Sequence, residues 1–148
     1  MKTTIYEFPV KTIYELSEGA YAPTKAHEYD AGFDIRTPKD VIVPANGSAV
    51  IDTGVRVLIP NGYVGMLKSK SGLNCKNGIV SEGVIDAGYT GTIVAKLYNN
   101  SPYDKEFKAG DKITQLVFLE CPRFILVEGD VQKVKTSRGN NGFGSTGR

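Results

Sequence analysis

Turn-forming residues recur along the whole chain, and their regular spacing is the strongest constraint on its fold. They include the Asn-Gly pairs at 46–47, 61–62 and 77–78, and seven prolines, at 9, 23, 38, 44, 60, 102 and 122. Short runs rich in β-branched and aromatic residues lie between the turns, at 3–8, 11–15, 48–59, 62–67, 92–98 and 112–120. No long segment has a helical period. Short strands at this spacing predict an all-β sandwich or barrel.

One short helix is predicted at 71–77. Ser69 or Ser71 would serve as its N-cap, and Gly78 follows its last residue, where helices often end. Lys68 and Lys70 precede it, so its free N–H groups would lie beside two positive charges, which favours an anion site. A capped connector with two solvated lysines explains the same residues equally well.

Length and composition indicate one globular domain. The chain has 148 residues, of which 41% are hydrophobic and 23% charged. It has no apolar run near the length of a membrane span, and its composition is not that of a disordered chain. The first residues contain no apolar segment typical of a secretory signal. We therefore expect a cytoplasmic protein, or one in the host cytoplasm if it is viral, that does not bind membranes.

Charge and cysteine content argue against a duplex-binding protein, a zinc-stabilised protein and a disulfide-stabilised protein. The formal net charge is +2 and no basic run follows the body of the chain, so we expect no binding to duplex nucleic acid. Several basic residues gather near the C-terminus, where a small polyanion is a better candidate ligand. Cys75 and Cys121 are far apart in sequence, and His27 is the single histidine. Structural zinc and a disulfide framework are both disfavoured.

The segment 82–91 combines glycines, one acid and one aromatic ring. Its glycines favour a turn over a helix, because each would cost a helix interior roughly 1 kcal/mol. We predict a tight β-hairpin that offers main-chain N–H and C=O groups to a flat ligand and holds Asp86 and Tyr89 beside it. An ordinary surface turn with a solvated aspartate is the alternative.

The last eleven residues, 138–148, contain four glycines, two arginines, two hydroxyl side chains and one ring. Such a segment does not bury enough surface to order itself and should be mobile when alone. Arg138, Ser145 and Thr146 could surround a phosphate chain, and Phe143 could stack on a base. A frayed solubilising tail is the alternative, although an isolated ring among glycines has no structural use there.

Five motifs in order resemble those of the trimeric dUTP pyrophosphatase (dUTPase) family, along nearly the whole chain. They lie at 31–35 (AGFDI), 70–73 (KSGL), 83–91 (GVIDAGYTG), 110–116 (GDKITQL) and 138–147 (RG, then GFGSTG). The resemblance implies a β-barrel-like jelly roll that forms a homotrimer with three shared active sites. It also implies a β domain at 1–137 and a mobile arm at 138–148 that closes on the nucleotide.

The resemblance assigns a role to each candidate residue. It implies that Asp86 activates the water that attacks the α-phosphorus of dUTP, and that Tyr89 excludes a 2′-hydroxyl. The cofactor would be Mg²⁺, contacted by Asp34 through water. The remaining substrate-binding positions are Lys70, Ser71, Gly72, Gly83, Ile85, Gln115, Arg138, Phe143, Gly144, Ser145 and Thr146. Lys70 stands where the family usually has arginine, and lysine lacks the planar fork of a guanidinium.

Three other functions compete with this interpretation. The tripeptide at 52–54, Asp-Thr-Gly after an apolar pair, matches the catalytic tripeptide of retroviral aspartic proteases. A dCTP deaminase of the same fold would need a carboxylate facing the base, and Glu82 is the one glutamate in the predicted hairpin. A nucleotide-binding module without catalysis would keep the fold, although the presence of Asp86 argues for chemistry.

Overall fold

The computed structural model describes residues 9–144 of the chain. Ten strands and two short helices follow one another there. They are β1 Tyr14–Leu16, β2 Gly32–Arg36, β3 Val41–Val43, β4 Ser48–Asp52, β5 Val55–Val57, β6 Tyr63–Lys68, α1 Ser71–Asn77, β7 Ile79–Ile85, β8 Val94–Asn99, β9 Lys105–Phe107, β10 Lys112–Glu120 and the 3₁₀ turn Val131–Lys133.

Six strands form one sheet in the order β2-β10-β6-β7-β8-β4, and two pairs, β1-β5 and β3-β9, complete the body. Every pairing among the described strands is antiparallel. The sheet curls on itself, so one face encloses the core. The expected all-β, β-barrel-like architecture with one short α-helix is confirmed.

Alternating residues of the strands build the core. In β8 exposed and buried positions alternate along the whole strand, as a half-buried strand requires. The largest fully buried apolar side chains come from β2, β4, β6, β7, β8 and β10 and the segments between strands, and include Ile35, Ile51, Leu67, Ile79, Leu97 and Leu116. Aliphatic side chains from strands early and late in the chain, from β2 to β10, therefore pack together and stabilise the sheet that carries the candidate site.

The turn signals predicted most of the strand positions. The run 48–59 is divided into β4 and β5 by a turn in which Gly54 adopts a left-handed φ of 68°. The runs 62–67, 92–98 and 112–120 contain β6, β8 and β10, and 11–15 overlaps β1. Strands β2, β3 and β9 were not predicted, because β3 and β9 have only three residues each and charged residues interrupt β2 and β9. The start of β7, at 79–81, also lies outside the predicted runs. The predicted run at 3–8 lies outside the described residues.

The chain leaves the sheet after Glu120. From Cys121 to Gly144 every side chain is exposed, and the 3₁₀ turn is the one regular element of the described part of this segment. We call residues 121–144 the exposed arm. The division of the chain at residue 137 remains a prediction. No helix within residues 9–144 is long and apolar enough to cross a membrane.

Candidate active site

A carboxylate held between two lysines lies at the centre of the site. Asp34, on β2, forms an ion pair through one carboxylate oxygen with Lys70 and through the other with Lys112, whose Nζ lies at 2.7 Å. Lys70 precedes α1, and Lys112 begins β10. The side chain of Asp34 is only 10% exposed, whereas those of Lys70 and Lys112 are 26% and 40% exposed. We call these three residues the lysine bracket.

The lysines determine the charge state of Asp34. Burial acts to raise its pKa, but hydrogen bonds from Lys112 and Lys70, together with their positive charges, outweigh burial and hold the pKa below its usual value. Asp34 is therefore an anion at neutral pH, and the bracket carries a surplus of one positive charge.

Gln115 lies beside the bracket because of the sheet register. It pairs with Asp34 on one neighbouring strand and with Lys68 on the other, so these side chains share one face. Its Nε2 donates to the carbonyl oxygen of Ser69 at 3.0 Å. A Cβ on Gly32 would lie 2.5 Å from Gln115 Oε1, so glycine leaves the space that this amide fills. Neither Lys112 nor Gly32 was singled out from the sequence, since only the register reveals their positions.

The helix α1 begins at the bracket. Its N-cap is Lys70, which makes no capping hydrogen bond through its side chain, so the prediction of a serine cap is wrong. The reason is that Ser69 Oγ is bonded to strand β7, where it accepts from Ser81 N at 2.9 Å and donates to Ser81 O at 3.2 Å. Ser71 and Gly72 are exposed in the first turn. The predicted end is confirmed, because Gly78 caps the helix in a left-handed conformation.

The predicted tight hairpin at 82–91 is wrong in its extent. Strand β7 pairs with β8 only at 79–81, opposite 97–99, and the next residues of β7 pair with β6 alone. The two strands therefore separate after Ser81, and Gly83 and Ile85 lie on the edge of β7 that has left β8. The cause is the longer connection to β8, in which Ile93 bonds to Thr53 and Val55 instead of crossing back to β7.

A turn follows the end of β7 and carries Asp86 and Tyr89. Tyr89 N donates to Asp86 O at 3.2 Å, and Gly88 between them has a positive φ of 79°. Tyr89 Oη donates to Thr92 O at 3.0 Å, which fixes the ring across Gly91. A Cβ on Gly91 would lie only 2.2 Å from that hydroxyl. The Asp86 carboxylate is exposed and forms no side-chain hydrogen bond within residues 9–144.

The predicted residues thus form two separate groups in one chain. Lys68 pairs with Glu82, and Gly65 pairs with Ile85, at opposite ends of the β6–β7 ladder. Lys70 lies beyond the first end and Asp86 beyond the second, so at least three residues of strand, about 10 Å, separate them. A single chain brings together Asp34, Lys70 and Gln115 but does not bring Asp86 to them.

The described C-terminal candidates, Arg138, Phe143 and Gly144, form no hydrogen bond or ion pair with either group. Arg138 is exposed, and its Nε donates to Asn141 O at 3.2 Å within the arm. Phe143 is fully exposed with a positive φ of 35°, and Gly144 follows it with a φ of 85°. Ser145 and Thr146 lie outside the described residues. The roles of all five remain predictions.

The donor set around Asp34 limits how a metal ion can be held. No group of three or more His, Cys, Asp or Glu side chains within residues 9–144 could coordinate one. Both oxygens of Asp34 are already bound to lysines. These residues fit Mg²⁺ only as a hydrated ion whose direct ligands come from a bound phosphate chain and water, with Asp34 outside that shell.

The residues that an aspartic protease and a dCTP deaminase would need, Asp52 and Glu82, both have structural roles. Asp52 accepts from Gly54 N at 3.0 Å and from Thr92 Oγ1 at 3.2 Å, and Thr53 is buried with its hydroxyl bonded to Ile93 O. The Asp-Thr-Gly tripeptide is therefore an ordinary turn between β4 and β5. Glu82 accepts a hydrogen bond from Lys68 at 2.6 Å, which occupies the carboxylate that a deaminase would require.

These features define a small all-β protein suited to a phosphorylated ligand. They are a curled antiparallel sheet, the lysine bracket beside the start of α1, and an exposed carboxylate on a turn that contains glycine. Comparison with known proteins identifies its family. The dUTPase family model matches residues 18–147. The chain belongs to the dUTPase family.

Related proteins support this assignment over nearly their full lengths. The chain is 41% identical over 140 residues to deoxyuridine 5'-triphosphate nucleotidohydrolase of Paramecium bursaria Chlorella virus 1, covering 91% of this chain and 96% of that one. It is 40% identical over 140 residues to the enzyme of the same name from Arabidopsis thaliana, covering 94% and 84%.

Solved structures agree with the fold. The dUTPase of Staphylococcus bacteriophage 80alpha, in complex with dUPNHPP, matches with a TM-score of 0.87 and 30% identity, covering 93% of this chain and 99% of that one. A point mutant of the dUTPase from phage phi11 of S. aureus, described with a structural Mg(II) ion, matches with a TM-score of 0.72 and 32% identity, covering 82% and 99%.

Proposed function

We propose that this dUTPase hydrolyses dUTP to dUMP and pyrophosphate, with Asp86 as the base that activates the attacking water. The observation that carries the proposal is the Asp86 carboxylate itself. It is exposed on a fixed turn, and no other side chain among the described residues occupies its oxygens. Such a carboxylate is available to accept a proton from water, and correct positioning supplies most of the benefit.

The reaction forms one bond and breaks one. The water oxygen bonds to the α-phosphorus, its proton passes to Asp86, and the bridging oxygen between the α- and β-phosphates leaves with pyrophosphate. The product dUMP keeps the α-phosphate. Loss of this proton acceptor would slow the step without removing the groups that bind the nucleotide.

The phosphate chain is proposed to bind at the bracket end of β6. Lys70, the exposed first turn of α1 with Ser71 and Gly72, and the Gln115 amide all lie there. Lysine supplies charge and three N–H donors to phosphate oxygens but no planar fork. The surplus positive charge of the bracket supports this placement.

The uracil and deoxyribose are proposed to bind at the edge of β7. Gly83 and Ile85 lie where β7 has left β8, so main-chain groups of this segment are available to a base. Such groups would reject cytosine, whose exchanged donor and acceptor would leave buried polar atoms unpaired. The Tyr89 ring, fixed by its bond to Thr92, would pack on the deoxyribose and exclude a 2′-hydroxyl.

A complete site is proposed to form between chains of a homotrimer. Asp86 and the bracket lie beyond opposite ends of the β6–β7 ladder of one chain, at least about 10 Å of strand apart, which supports a site completed by a second chain. A second chain would bring its Asp86 turn to the bracket of the first. The C-terminal segment 138–148, with Arg138, Phe143, Gly144, Ser145 and Thr146, would close over the nucleotide from a third chain.

Mg²⁺ is the proposed cofactor, placed among the phosphate oxygens with Asp34 contacting its water shell. When bound, it would align the triphosphate and neutralise charge on the leaving pyrophosphate. The residues of this chain would orient the phosphates around it through Lys70, Ser71 and Gln115.

The proposed cellular role follows from the substrate and product. Removal of dUTP would limit uracil incorporation into DNA, and dUMP would supply the synthesis of dTMP. This role places the protein where nucleotides are made, in the cytoplasm of a cell or of a virus-infected host.

Pyrophosphate release from dUTP, UTP, dTTP and dCTP, each with Mg²⁺ and with a chelator, tests the proposal. We expect release from dUTP alone and only with Mg²⁺. Equal release from UTP would contradict the role of Tyr89, and ammonia release from dCTP would favour a deaminase. Tight dUTP binding without turnover would instead support the binding-module function.

A further inference from the structure

We propose that Lys112 is a further phosphate-binding residue, and that Asp34 positions Lys112 and Lys70 as a two-pronged cationic clamp on the triphosphate. This inference rests on the proposed function, because it concerns the phosphate end of the same site. It assigns a task to a lysine outside the predicted set and explains how the chain functions with lysine at position 70.

In the bracket, Asp34 holds the two lysine ammonium groups side by side. Each oxygen of the Asp34 carboxylate bonds one ammonium group, so a single rigid anion fixes both lysines. Each ammonium has three N–H donors and uses one on Asp34, which leaves donors on both for a second anion. A guanidinium presents two parallel N–H donors along one edge of a single side chain, whereas here two side chains would supply them.

Charge and exposure distinguish this cluster from a purely structural ion pair. Two positive charges face one negative charge, and neither lysine has another acidic partner among the described residues. Their side chains remain 26% and 40% exposed, so the free N–H donors can be reached from solvent. A bound phosphate would complete the charge balance of a partly desolvated site.

The neighbours of the bracket direct it towards the phosphate end of the site. Gln115, the pairing partner of Asp34 across the sheet, holds its amide beside Ser69, next to the start of α1. Lys68 cannot fill the second position of the clamp, because its Nζ lies 2.6 Å from Glu82 in a neutral pair. Lys112 is therefore the lysine placed to compensate for the missing arginine fork.

Substitutions at Lys112 test the proposal through the number of phosphates on the ligand. Lys112→Gln removes the charge, and Lys112→Arg keeps it. Lys108→Gln is the matched control, since Lys108 also bridges two carboxylates, Asp40 and Glu106, but belongs to another cluster. The measurements are kcat/KM for dUTP, inhibition constants for dUDP and dUMP, and the thermal unfolding midpoint.

We expect Lys112→Gln to reduce kcat/KM for dUTP by roughly ten- to hundred-fold, the effect of losing a charge-assisted hydrogen bond. Binding of dUDP should weaken less and that of dUMP least, because fewer phosphate oxygens reach the clamp. Lys112→Arg should recover most of the loss, and Lys108→Gln should behave like the wild type. An unchanged Lys112→Gln enzyme, or an equal loss for all three ligands with a lowered unfolding midpoint, would overturn the clamp.

A failure of the proposed function is distinguishable from a failure of this inference. If the wild-type protein does not hydrolyse dUTP, the proposed function fails, and calorimetric titration with inorganic tripolyphosphate then tests the clamp directly. Weaker tripolyphosphate binding by Lys112→Gln than by Lys108→Gln would support it. Equal binding by the two variants would refute it.

Discussion

Gln115 occupies the space that a side chain on Gly32 would need. A Cβ at position 32 would lie 2.5 Å from Gln115 Oε1 and 3.0 Å from Gln115 Cβ, so these two residues of separate motifs depend on one another. Gly32 therefore contributes to the site because it has no side chain, which leaves room for the Gln115 amide.

Gly32→Ala should displace Gln115 from Ser69 and from the phosphate end of the site. We expect turnover of dUTP to fall by roughly ten- to hundred-fold, because small displacements of positioning groups are costly. The fold should persist, since Gln115 is not part of the buried core. Steady-state kinetics and thermal unfolding measure the two effects. Gly129→Ala, at a position with open space around its Cβ, is the control.

Asp86→Asn should retain nucleotide binding and lose turnover. We expect kcat to fall by about 10²- to 10⁴-fold, the usual contribution of a general base. Binding of a non-hydrolysable dUTP analogue, measured by calorimetry, should change little. Asp52→Asn is the matched control, because its amide oxygen can still accept from Gly54 N. A full-rate Asp86→Asn enzyme would refute the catalytic assignment.

Gly91→Ala should weaken discrimination between dUTP and UTP. An added Cβ would collide with the Tyr89 hydroxyl at 2.2 Å and push the ring out of place. The ratio of kcat/KM for dUTP to that for UTP measures the effect, and we expect it to fall. Tyr89→Phe keeps the ring but loses the bond to Thr92, so it should cause a smaller change. An unaltered ratio in Gly91→Ala would show that the ring does not read the sugar.

Stability should depend on pH through Asp34. Its folded-state pKa lies below the ordinary value of 3.8, so its stabilising contribution is present above that pH and is lost as pH falls below it. The difference in unfolding free energy between the wild type and Asp34→Asn should therefore be largest near neutral pH and shrink below pH 3.8. Denaturant titrations across this range measure it. A difference that grows on acidification would contradict the lysine bracket.

Removal of residues 138–148 should leave a folded protein with poor catalysis. The described part of this segment is exposed and forms no contact with the sheet that would hold the core together. We expect an unchanged thermal unfolding midpoint and a large loss of kcat/KM for dUTP. Loss of the folded state on truncation would show that the segment is structural.

The sequence predicted the strands that have strong local signals. Gly78 marks the end of α1 because its left-handed conformation favours glycine, and this position was anticipated. The serine cap was wrong because Ser69, directly after β6, bonds to Ser81 on β7. Local preference does not reveal such competition.

The site was predictable in its parts and not in its arrangement. Asp34, Lys70 and Gln115 could be named from motifs, but their meeting depends on the register of β2 and β10, which are far apart in the chain. The same holds for Lys112, which lies inside the motif at 110–116 but was assigned no role there, because its contact with Asp34 depends on that register. The separation of β7 from β8 was missed because it arises from hydrogen bonds between Ile93 and the turn at Thr53.

The parting of β7 from β8 also affects how easily selectivity could change by mutation. Main-chain atoms are common to nearly all residues, so a substitution at an exposed position such as Val84 alters the side chain while leaving the N–H and C=O pattern in place. Recognition of a base at this edge would depend on the number of residues over which β7 and β8 remain paired. A related protein would therefore acquire a different base preference through insertions or deletions between residues 86 and 93 more readily than through point substitutions.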